Sequence, residues 1–267
     1  MFQYHCLNPI AGVGLANFNE NYQQTESLEG ADAVLVRSAA MHGMELPKSL
    51  LAVARAGAGV NNIPLADCAE QGIVVFNTPG ANANGVKELV LAGMLLASRD
   101  IAGGIEWVKS DKEDGDIAKT AEKQKKKFAG CEISGKKLGI IGLGAIGRRV
   151  AQIARAFGAN VIYYSASGRP AQDGYTQVDF DTLLTTSDII SVHAPLNEHT
   201  ENLLDKCAFA KMKETCIFLN LGRGPIVVEQ DLYDALVNGE IAAAGLDVLS
   251  AEPMSEKNPL IKIQDSR

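Results

Sequence analysis

Short, continuously apolar runs alternate with helical patterns along almost the whole sequence. The runs occupy residues 4–7, 33–36, 51–54 and 73–76, followed by 138–141, 161–164, 189–192, 217–221 and 243–248. Strands that are apolar along their entire length are typical of parallel sheets, whose two faces are both covered by helices. The alternation therefore predicts an α/β protein with two doubly wound parallel sheets.

One long helical pattern, over residues 84–109, separates the two series of strands. We therefore place the domain boundary near residue 100, which gives a first domain of residues 1–100 and a second of residues 101–267. The polar segment 110–127 is predicted to be mobile or exposed. Its lysines are interspersed with acidic residues, which is typical of a solvated surface.

Composition excludes several classes of protein. The net charge of the 267 residues is -7 and no basic stripe is present, so nucleic acid is not an expected partner. The apolar stretches, such as residues 90–97, are far shorter than the roughly 20 residues of a membrane span. The N-terminus lacks a secretion signal, and the five cysteines form no C-x-x-C pair. We expect a cytoplasmic protein with reduced thiols, no membrane association and no metal site.

Three glycines follow the apolar run at 138–141 in the spacing G-x-G-x-x-G. Gly142 would permit a tight turn, Gly144 the approach of a pyrophosphate, and Gly147 the packing of the next helix on the strand. That helix is predicted over residues 146–157. A tight turn without a ligand is the alternative, but strand, turn and amphipathic helix in this order favour a dinucleotide-binding Rossmann domain.

The start of this helix would offer the N–H groups of Ala145 and Ile146 to the pyrophosphate. In NAD enzymes the next strand ends in an acidic residue that binds the adenine ribose, but here that position is Ser165. Ser167 and Arg169 follow and could bind the 2′-phosphate of NADP. Alternatively, Ser165 binds the ribose of NAD and Arg169 is a surface residue, so both cofactors stay open.

Several separate motifs resemble the D-2-hydroxyacid dehydrogenase family. They are residues 137–147, 219–227, 244–248 with 251–253, and, in the N-terminal half, 55–63 and 72–80. The last two are most similar to the phosphoglycerate dehydrogenase branch. The resemblance implies two α/β domains with an active site in the cleft between them, NAD as the favoured cofactor, and a homodimer or larger oligomer joined through nucleotide-domain helices.

The resemblance also implies the chemistry, which moves a hydride between C2 of a 2-hydroxy acid and C4 of nicotinamide. A histidine removes the hydroxyl proton because its pKa lies near 7. By motif, Glu252 orients that histidine, while Arg223 binds the substrate carboxylate and polarises the C2 oxygen. Solvent-exposed loop positions are the alternative for both residues. The place of Arg223 between two glycines at a strand end favours a functional role.

Other candidate site residues also follow predicted strands. In the second domain the resemblance assigns cofactor contact to His193, Ala194, Pro195, Leu221, Gly222 and Asp247. His193 is an alternative catalytic base, although its motif position belongs to cofactor contact. In the first domain a Gly-rich turn could form a carboxylate-binding nest from Ala58, Gly59, Val60 and Asn61. Arg37 suits a substrate phosphate, with an ordinary surface arginine as the alternative.

No histidine follows Glu252 before the sequence ends at Arg267, whereas the family's catalytic histidine lies shortly beyond the matching position. We therefore expect this chain to bind cofactor and to turn over poorly. A trimmed or cleaved product, a truncated gene and a non-catalytic relative are the alternatives, and the presence of Arg223 and Glu252 favours the first.

Three functions are consistent with the sequence. The first is oxidation of 3-phosphoglycerate at the entry to serine synthesis. The second is reduction of glyoxylate, hydroxypyruvate or another 2-oxo acid. The third is a dinucleotide-sensing binding protein that performs no chemistry.

Overall fold

The computed structural model describes residues 1–166 and 174–263. The chain divides into two compact units, Met1–Asn82 and Ala83–Arg267. Each unit contains a parallel sheet among its described residues, so the predicted α/β class is confirmed. The division precedes the predicted boundary near residue 100 because helix α3 (Ala83–Arg99) buries its apolar face in the core of the second unit.

The first unit is built on a five-stranded sheet in the order β2-β1-β3-β4-β5. The strands are β1 (Phe2–Cys6), β2 (Tyr22–Thr25), β3 (Ala33–Val36), β4 (Ala52–Arg55) and β5 (Val74–Phe76). The helices are α1 (Gly12–Leu15) and α2 (Leu65–Glu70). This strand order is that of flavodoxin-like sheets. The sequence did not predict β2, since this edge strand is polar and largely exposed.

The second unit is built on a six-stranded sheet in the order β11-β10-β9-β6-β7-β8. The strands are β6 (Lys137–Ile141), β7 (Asn160–Tyr164), β8 (Thr176–Gln177), β9 (Ile189–Val192), β10 (Ile217–Asn220) and β11 (Ala243–Leu246). The two-residue edge strand β8 was not predicted. The order reverses between β6 and β9, and ligands of open α/β sheets bind beside such a switch point, at the carboxyl ends of the strands.

The described residues of the second unit also form helices. They are α3, α4 (Ile101–Ser110), α5 (Ile117–Gln124), α6 (Ala145–Ala156), α7 (Phe180–Thr186), α8 (Lys206–Phe209) and α9 (Glu229–Val237), with 3-10 turns at Lys125–Phe128, Gly224–Ile226 and Pro259–Lys262. Within the described ranges, none of these helices is long and apolar enough to cross a membrane.

The prediction of one helix over residues 84–109 is wrong. Asp100 interrupts it in the left-handed conformation, with φ of 44° and ψ of 48°, and its side chain accepts the Gly103 N–H at the start of α4. Aspartate tolerates this conformation and is a favoured N-cap, so it ends one helix and begins another. The predicted surface segment 110–127 contains α5 and most of a 3-10 turn, and its lysines are exposed.

The central strands of the second sheet are buried along their length, as their composition predicts. All four residues of β9 and of β10 are buried. Leu219 of β10 lies opposite two glycines: a β-carbon at Gly93 of α3 would lie 3.3 Å from its Cδ2, and one at Gly245 of β11 would lie 2.8 Å from it. Leu219 therefore packs closely between α3 and β11, one residue before the end of β10, from which the Arg223 loop begins.

Candidate functional site

The glycine turn lies at the switch point of the second sheet. Gly142 has φ of 95°, a region that favours glycine, and its N–H donates to the Tyr164 carbonyl oxygen at 2.9 Å. A β-carbon at this position would lie 2.7 Å from the backbone nitrogen of Ala194. The turn after β6 therefore packs directly on the loop after β9, and a side chain here would push the two apart.

The other two glycines have the environments that anion binding requires. A β-carbon at Gly144 would meet nothing within 4 Å, so the turn is open on this side, whereas one at Gly147 would overlap the carbonyl oxygen of Gly142. Helix α6 begins at Ala145 with no side-chain cap and no acidic residue in its first turn. The first N–H groups, including those of Ala145 and Ile146, are therefore available to an anion. These residues fit a diphosphate.

Ser165 directly follows β7, as predicted, and is half-buried. Neither Tyr164 before it nor Ala166 after it carries a charge, so a 2′-phosphate would meet no repulsion from an adjacent carboxylate. Ser167 and Arg169, the candidate 2′-phosphate ligands, lie outside the described residues. Discrimination between NAD and NADP therefore stays a prediction.

His193 follows β9, next to the glycine turn. The backbone N–H of His193 donates to the Ile141 carbonyl oxygen at 2.7 Å, and the ring Nε2 lies 2.9 Å from the Ser191 hydroxyl. Nδ1 is buried without a hydrogen-bond partner among the described residues. Burial lowers the pKa of His193 to about 4, because the charged form loses hydration. The ring is therefore neutral at pH 7 and too weak a base to suit the alternative catalytic role.

The loop of Arg223 follows β10 and is shaped by the buried side chain of Asn220. Asn220 Oδ1 accepts the Gly222 N–H at 3.1 Å, and its Nδ2 donates to the Arg223 carbonyl oxygen at 3.0 Å. The half-buried Arg223 folds back so that Nη1 donates to the Gly222 carbonyl oxygen at 2.7 Å. A β-carbon at Gly222 would lie 3.1 Å from the Val192 carbonyl oxygen and 3.6 Å from that of Ala194.

These contacts place three loops side by side. Ala194 touches the glycine turn at Gly142 on one side and the Arg223 loop at Gly222 on the other. Ala194 and Leu221 are buried, while Pro195 is exposed. Most of the predicted cofactor residues of the second unit thus lie along one edge of its sheet, where the carboxyl ends of β6, β9 and β10 meet.

Asp247 and Glu252 lie in the segment after β11. The N–H of Asp247 donates to the Asn220 carbonyl oxygen at 3.1 Å, and its side chain is exposed. Glu252 is also exposed, and its Oε1 accepts the Leu249 N–H at 3.1 Å. A β-carbon at Gly224 would overlap the backbone of Leu249. The segment that carries Glu252 therefore packs against the Arg223 loop.

The predicted nest of the first unit has its carbonyl groups engaged and its N–H groups available. Asn77 donates to the Ala58 carbonyl oxygen at 2.7 Å, the Arg55 guanidinium donates to that of Gly59, and the ring of His42 lies 2.7 Å from that of Asn61. Within the described residues, the following backbone N–H groups have no acceptor: Ala58, Gly59, Val60 and Asn61. Such a turn suits a carboxylate.

Arg37 follows β3 and is exposed, while its backbone is fixed by Asn8. Asn8 Oδ1 accepts the N–H groups of Arg37, Ser38 and Ala39 at 2.9 to 3.0 Å. Arg55 Nε donates to the Arg37 carbonyl oxygen at 3.1 Å, which connects this loop with the nest. Arg37 and the nest therefore occupy adjacent strand ends of the first sheet.

Three residues that shape these loops were missed from the sequence: Asn8, Asn220 and Glu229, whose carboxylate accepts the Ser250 N–H in the segment that carries Glu252. Asn220 was detectable in principle, because an asparagine at the end of a fully apolar strand needs buried hydrogen-bond partners. The partners of Asn8 and Glu229 are 21 to 31 residues away in sequence, and spacing alone gives no sign of such contacts.

Comparison with known proteins agrees with this geometry. Residues 91–266 match the family described as D-isomer specific 2-hydroxyacid dehydrogenase, NAD binding domain. A D-3-phosphoglycerate dehydrogenase of Archaeoglobus fulgidus is 41% identical over 240 residues, which cover 88% of this chain and 44% of that protein. A hydroxypyruvate reductase of Thermotoga maritima is 40% identical over 85% of this chain and 72% of its own length.

Solved structures share the fold. The crystal structure of a glyoxylate reductase from Paecilomyes thermophila superposes with a TM-score of 0.81 and 28% identity, covering 97% of this chain and 85% of that one. The chain spans less than half the length of several of the curated relatives that it matches, 44% and 43% in two of them.

Proposed function

The chain belongs to the D-isomer specific 2-hydroxyacid dehydrogenase family, and from that premise we propose that it transfers a hydride between a nicotinamide cofactor and a small D-2-hydroxy acid. The observation that carries the proposal is the contiguous edge formed by the glycine turn, the loop at Ala194 and the loop of Arg223. An anion-binding helix start and a guanidinium thus belong to one continuous surface, as the reaction requires.

The chain's own groups have separable roles in this proposal. The open turn at Gly144 and the start of α6 bind the diphosphate of the cofactor, NAD or else NADP, which when bound supplies or accepts the hydride. Arg223 holds the substrate carboxylate and polarises the C2 oxygen. By the motif, Glu252 is suited to stabilise the family's protonated histidine base, which takes the hydroxyl proton and which no residue after Glu252 supplies in this sequence. His193 lines the proposed cofactor site. Because its ring is neutral at pH 7, it adds no charge there.

We propose 3-phosphoglycerate as the substrate. The nest at residues 58–61 provides N–H groups for one anionic end of this molecule, and Arg37 provides an exposed guanidinium suited to its phosphate. The names of several similar proteins, including that of Archaeoglobus fulgidus, support this choice. The reaction would then supply a 2-oxo acid phosphate for serine synthesis.

Reduction of hydroxypyruvate or glyoxylate is the second candidate. The hydroxypyruvate reductase of Thermotoga maritima is 40% identical and is covered over 72% of its length, a larger share than in the phosphoglycerate dehydrogenases. Both candidate substrates carry a carboxylate, which Arg223 is proposed to bind. They differ in whether Arg37 has a phosphate to bind.

We further propose that the chain forms a homodimer through α3 and α4. These helices carry apolar side chains that are exposed in the single chain, with Leu96, Ile105 and Val108 at 45%, 50% and 55% exposure. Ile105 and Val108 are three residues apart and therefore share one face of α4. Exposed apolar side chains on one face are typical of protein–protein contact sites.

The test is an absorbance assay at 340 nm of the chain with NAD or NADP against 3-phosphoglycerate, and in reverse with NADH or NADPH against hydroxypyruvate. We expect slow oxidation of 3-phosphoglycerate with NAD, because no histidine follows Glu252 in this sequence to take the hydroxyl proton. Arg223→Gln is expected to lower kcat/KM at least about a hundredfold while cofactor binding is retained. Tight NADH binding with no turnover of any substrate would contradict the proposal and support a non-catalytic binding protein.

A further inference from the structure

Glu229, the first residue of α9, lies in the chain between Arg223 and Glu252 and makes two hydrogen bonds to the segment that follows β11. Its Oε1 accepts the Ser250 N–H at 2.7 Å, and its Oε2 accepts from Asn258 Nδ2 at 2.9 Å. The half-buried carboxylate is thus hydrogen-bonded to both ends of the segment 250–258. We call this segment the Glu252 loop.

The orientation of Asn258 is fixed independently of Glu229. Asn258 is 7% exposed, and its Oδ1 accepts the Leu260 N–H at 3.0 Å as the N-cap of the 3-10 turn Pro259–Lys262. Its Nδ2 must therefore face Glu229. Two donors, one from Ser250 and one from Asn258, converge on a residue that offers only acceptors. Hydrogen bonds to an ionised acceptor are about twice as strong as neutral ones.

Glu229 is also joined to the Arg223 loop by a short and constrained connection. Arg223 leads into the turn Gly224–Ile226, and α9 begins three residues later at Glu229. Gly224 leaves no room for a side chain, because a β-carbon there would overlap Leu249 and Ser250. Ser250 is therefore held from two directions, by Gly224 and by Glu229.

We propose that Glu229 is a positioning residue that locks the Glu252 loop against the Arg223 loop, so that the carboxylate and the guanidinium keep a fixed separation. This inference rests on the proposed function for its catalytic meaning. Its structural content, a two-ended clamp on residues 250–258, stands on the hydrogen bonds alone. Catalytic groups need such fixed placement, because small displacements cost large factors in rate.

The polarity of the clamp allows a rescue experiment. Glu229→Gln keeps an acceptor for Ser250 but turns an amide NH₂ toward the NH₂ of Asn258. Asn258→Asp instead places two carboxylate oxygens together. The double variant E229Q/N258D restores one donor and one acceptor at the contact, and the introduced aspartate can still accept the Leu260 N–H. Glu256→Gln is the matched control, because Glu256 is exposed in the same loop and has no partner within the described residues.

Two measurements are made on all five proteins, the parent included. Amide hydrogen exchange of residues 249–258 is expected to accelerate about tenfold or more in each single clamp variant, given the strength of hydrogen bonds to charged acceptors. The exchange rate of the double variant is expected to return to within about threefold of the parent's rate. The exchange rate of Glu256→Gln is expected to equal that of the parent. In the 340 nm assay kcat should fall about tenfold in the single variants and recover in the double, while KM for the cofactor stays unchanged.

Unaltered exchange in Glu229→Gln, or no recovery in the double variant, would overturn the clamp. Faster exchange with an unchanged kcat would overturn its positioning role. If the parent shows no turnover, the proposed function of this chain fails, whereas the exchange data still decide whether Glu229 holds the loop.

Discussion

Asn220 holds Arg223 from within the sheet: its Nδ2 donates to the Arg223 carbonyl oxygen at 3.0 Å while its Oδ1 accepts the Gly222 N–H at 3.1 Å. One side chain thus satisfies a donor and an acceptor of the same turn. Asn220 is 1% exposed, so water cannot replace it. The backbone of the Arg223 loop is therefore held by the side chain at the last residue of β10.

Asn220→Ala is expected to destabilise the protein by about 2 to 3 kcal/mol, because two buried polar groups lose their partners. The measurement is urea unfolding followed by circular dichroism. Asn238→Ala is the control, since Asn238 is exposed at the C-terminal end of α9 and its loss should cost less than about 1 kcal/mol. Equal losses in the free energy of unfolding for the two substitutions would show that the Asn220 hydrogen bonds do not stabilise the fold.

The relation between Asn220 and Arg223 also illustrates what the sequence can predict. Most of the strands follow from apolar runs of four to six residues, and the glycine turn from its spacing, because both depend on neighbours in the chain. The polar edge strand β2 and the two-residue strand β8 leave no such pattern. The first limit on prediction is a local change of backbone conformation, as at Asp100. A single residue with φ of 44° splits a helical pattern that is continuous in hydrophobicity.

Hydrogen bonds between distant segments are the second limit. The motif resemblance selected Arg223 and Glu252 but said nothing of what holds them. Glu229 reaches Ser250 and Asn258, 21 and 29 residues further along the chain. Asn8 reaches the Arg37 loop in the same manner. Such contacts depend on tertiary packing, which no local period encodes.

Gly144→Ala separates cofactor binding from folding. A β-carbon at Gly144 would meet nothing within 4 Å, so the free energy of unfolding should change by less than about 0.5 kcal/mol. The methyl group would occupy the open side of the turn where the diphosphate approaches. We expect the Kd for NADH to rise about tenfold or more, a loss of about 1.4 kcal/mol.

Both quantities are measured on the same preparation, Kd by fluorescence of NADH and stability by urea unfolding. Gly12→Ala serves as the control, because Gly12 likewise has no neighbour within 4 Å of a β-carbon but lies in the first unit. Unchanged NADH affinity in Gly144→Ala would place the diphosphate elsewhere.

His193 should make stability depend on pH. Burial lowers the pKa of His193 from 6.5 to about 4 in the folded chain. Between pH 6.5 and pH 4 the imidazole is protonated in the unfolded chain but neutral in the folded chain. The contribution of His193 to the free energy of unfolding, which is complete above pH 6.5, is therefore lost as the pH falls toward 4. From pH 7.5 to pH 4.5 the parent should lose about 2 kcal/mol more than His193→Gln does.

Carboxylates titrate in the same window in both proteins, so the comparison isolates the imidazole. His199→Gln is the matched control, because the His199 side chain is 76% exposed and its removal should leave the pH profile of the parent unchanged. Identical slopes for the parent and His193→Gln would mean that the ring is hydrated in solution.

Arg37 should decide between the two candidate substrates. If its exposed guanidinium binds a phosphate, Arg37→Gln should lower kcat/KM for 3-phosphoglycerate about a hundredfold, since charge-assisted hydrogen bonds to phosphate are strong. Activity with hydroxypyruvate, which has no phosphate, should change less than about threefold. Equal losses with both substrates would assign Arg37 to the carboxylate or to the fold, and no loss with either would leave it a surface residue.

Ile105 and Val108 test the proposed homodimer. Both lie on α4 and are 50% and 55% exposed in the single chain, and replacement by lysine would bring two charges into an apolar contact. Light scattering coupled to gel filtration should give a dimer mass for the parent at micromolar concentration and a monomer mass for the double variant I105K/V108K. Val13→Lys is the control, because Val13 is 82% exposed in the first unit and should leave the dimer intact. A monomeric parent, or a double variant that remains dimeric, would exclude α4 as the contact, since a lysine pair cannot be buried there without a compensating charge.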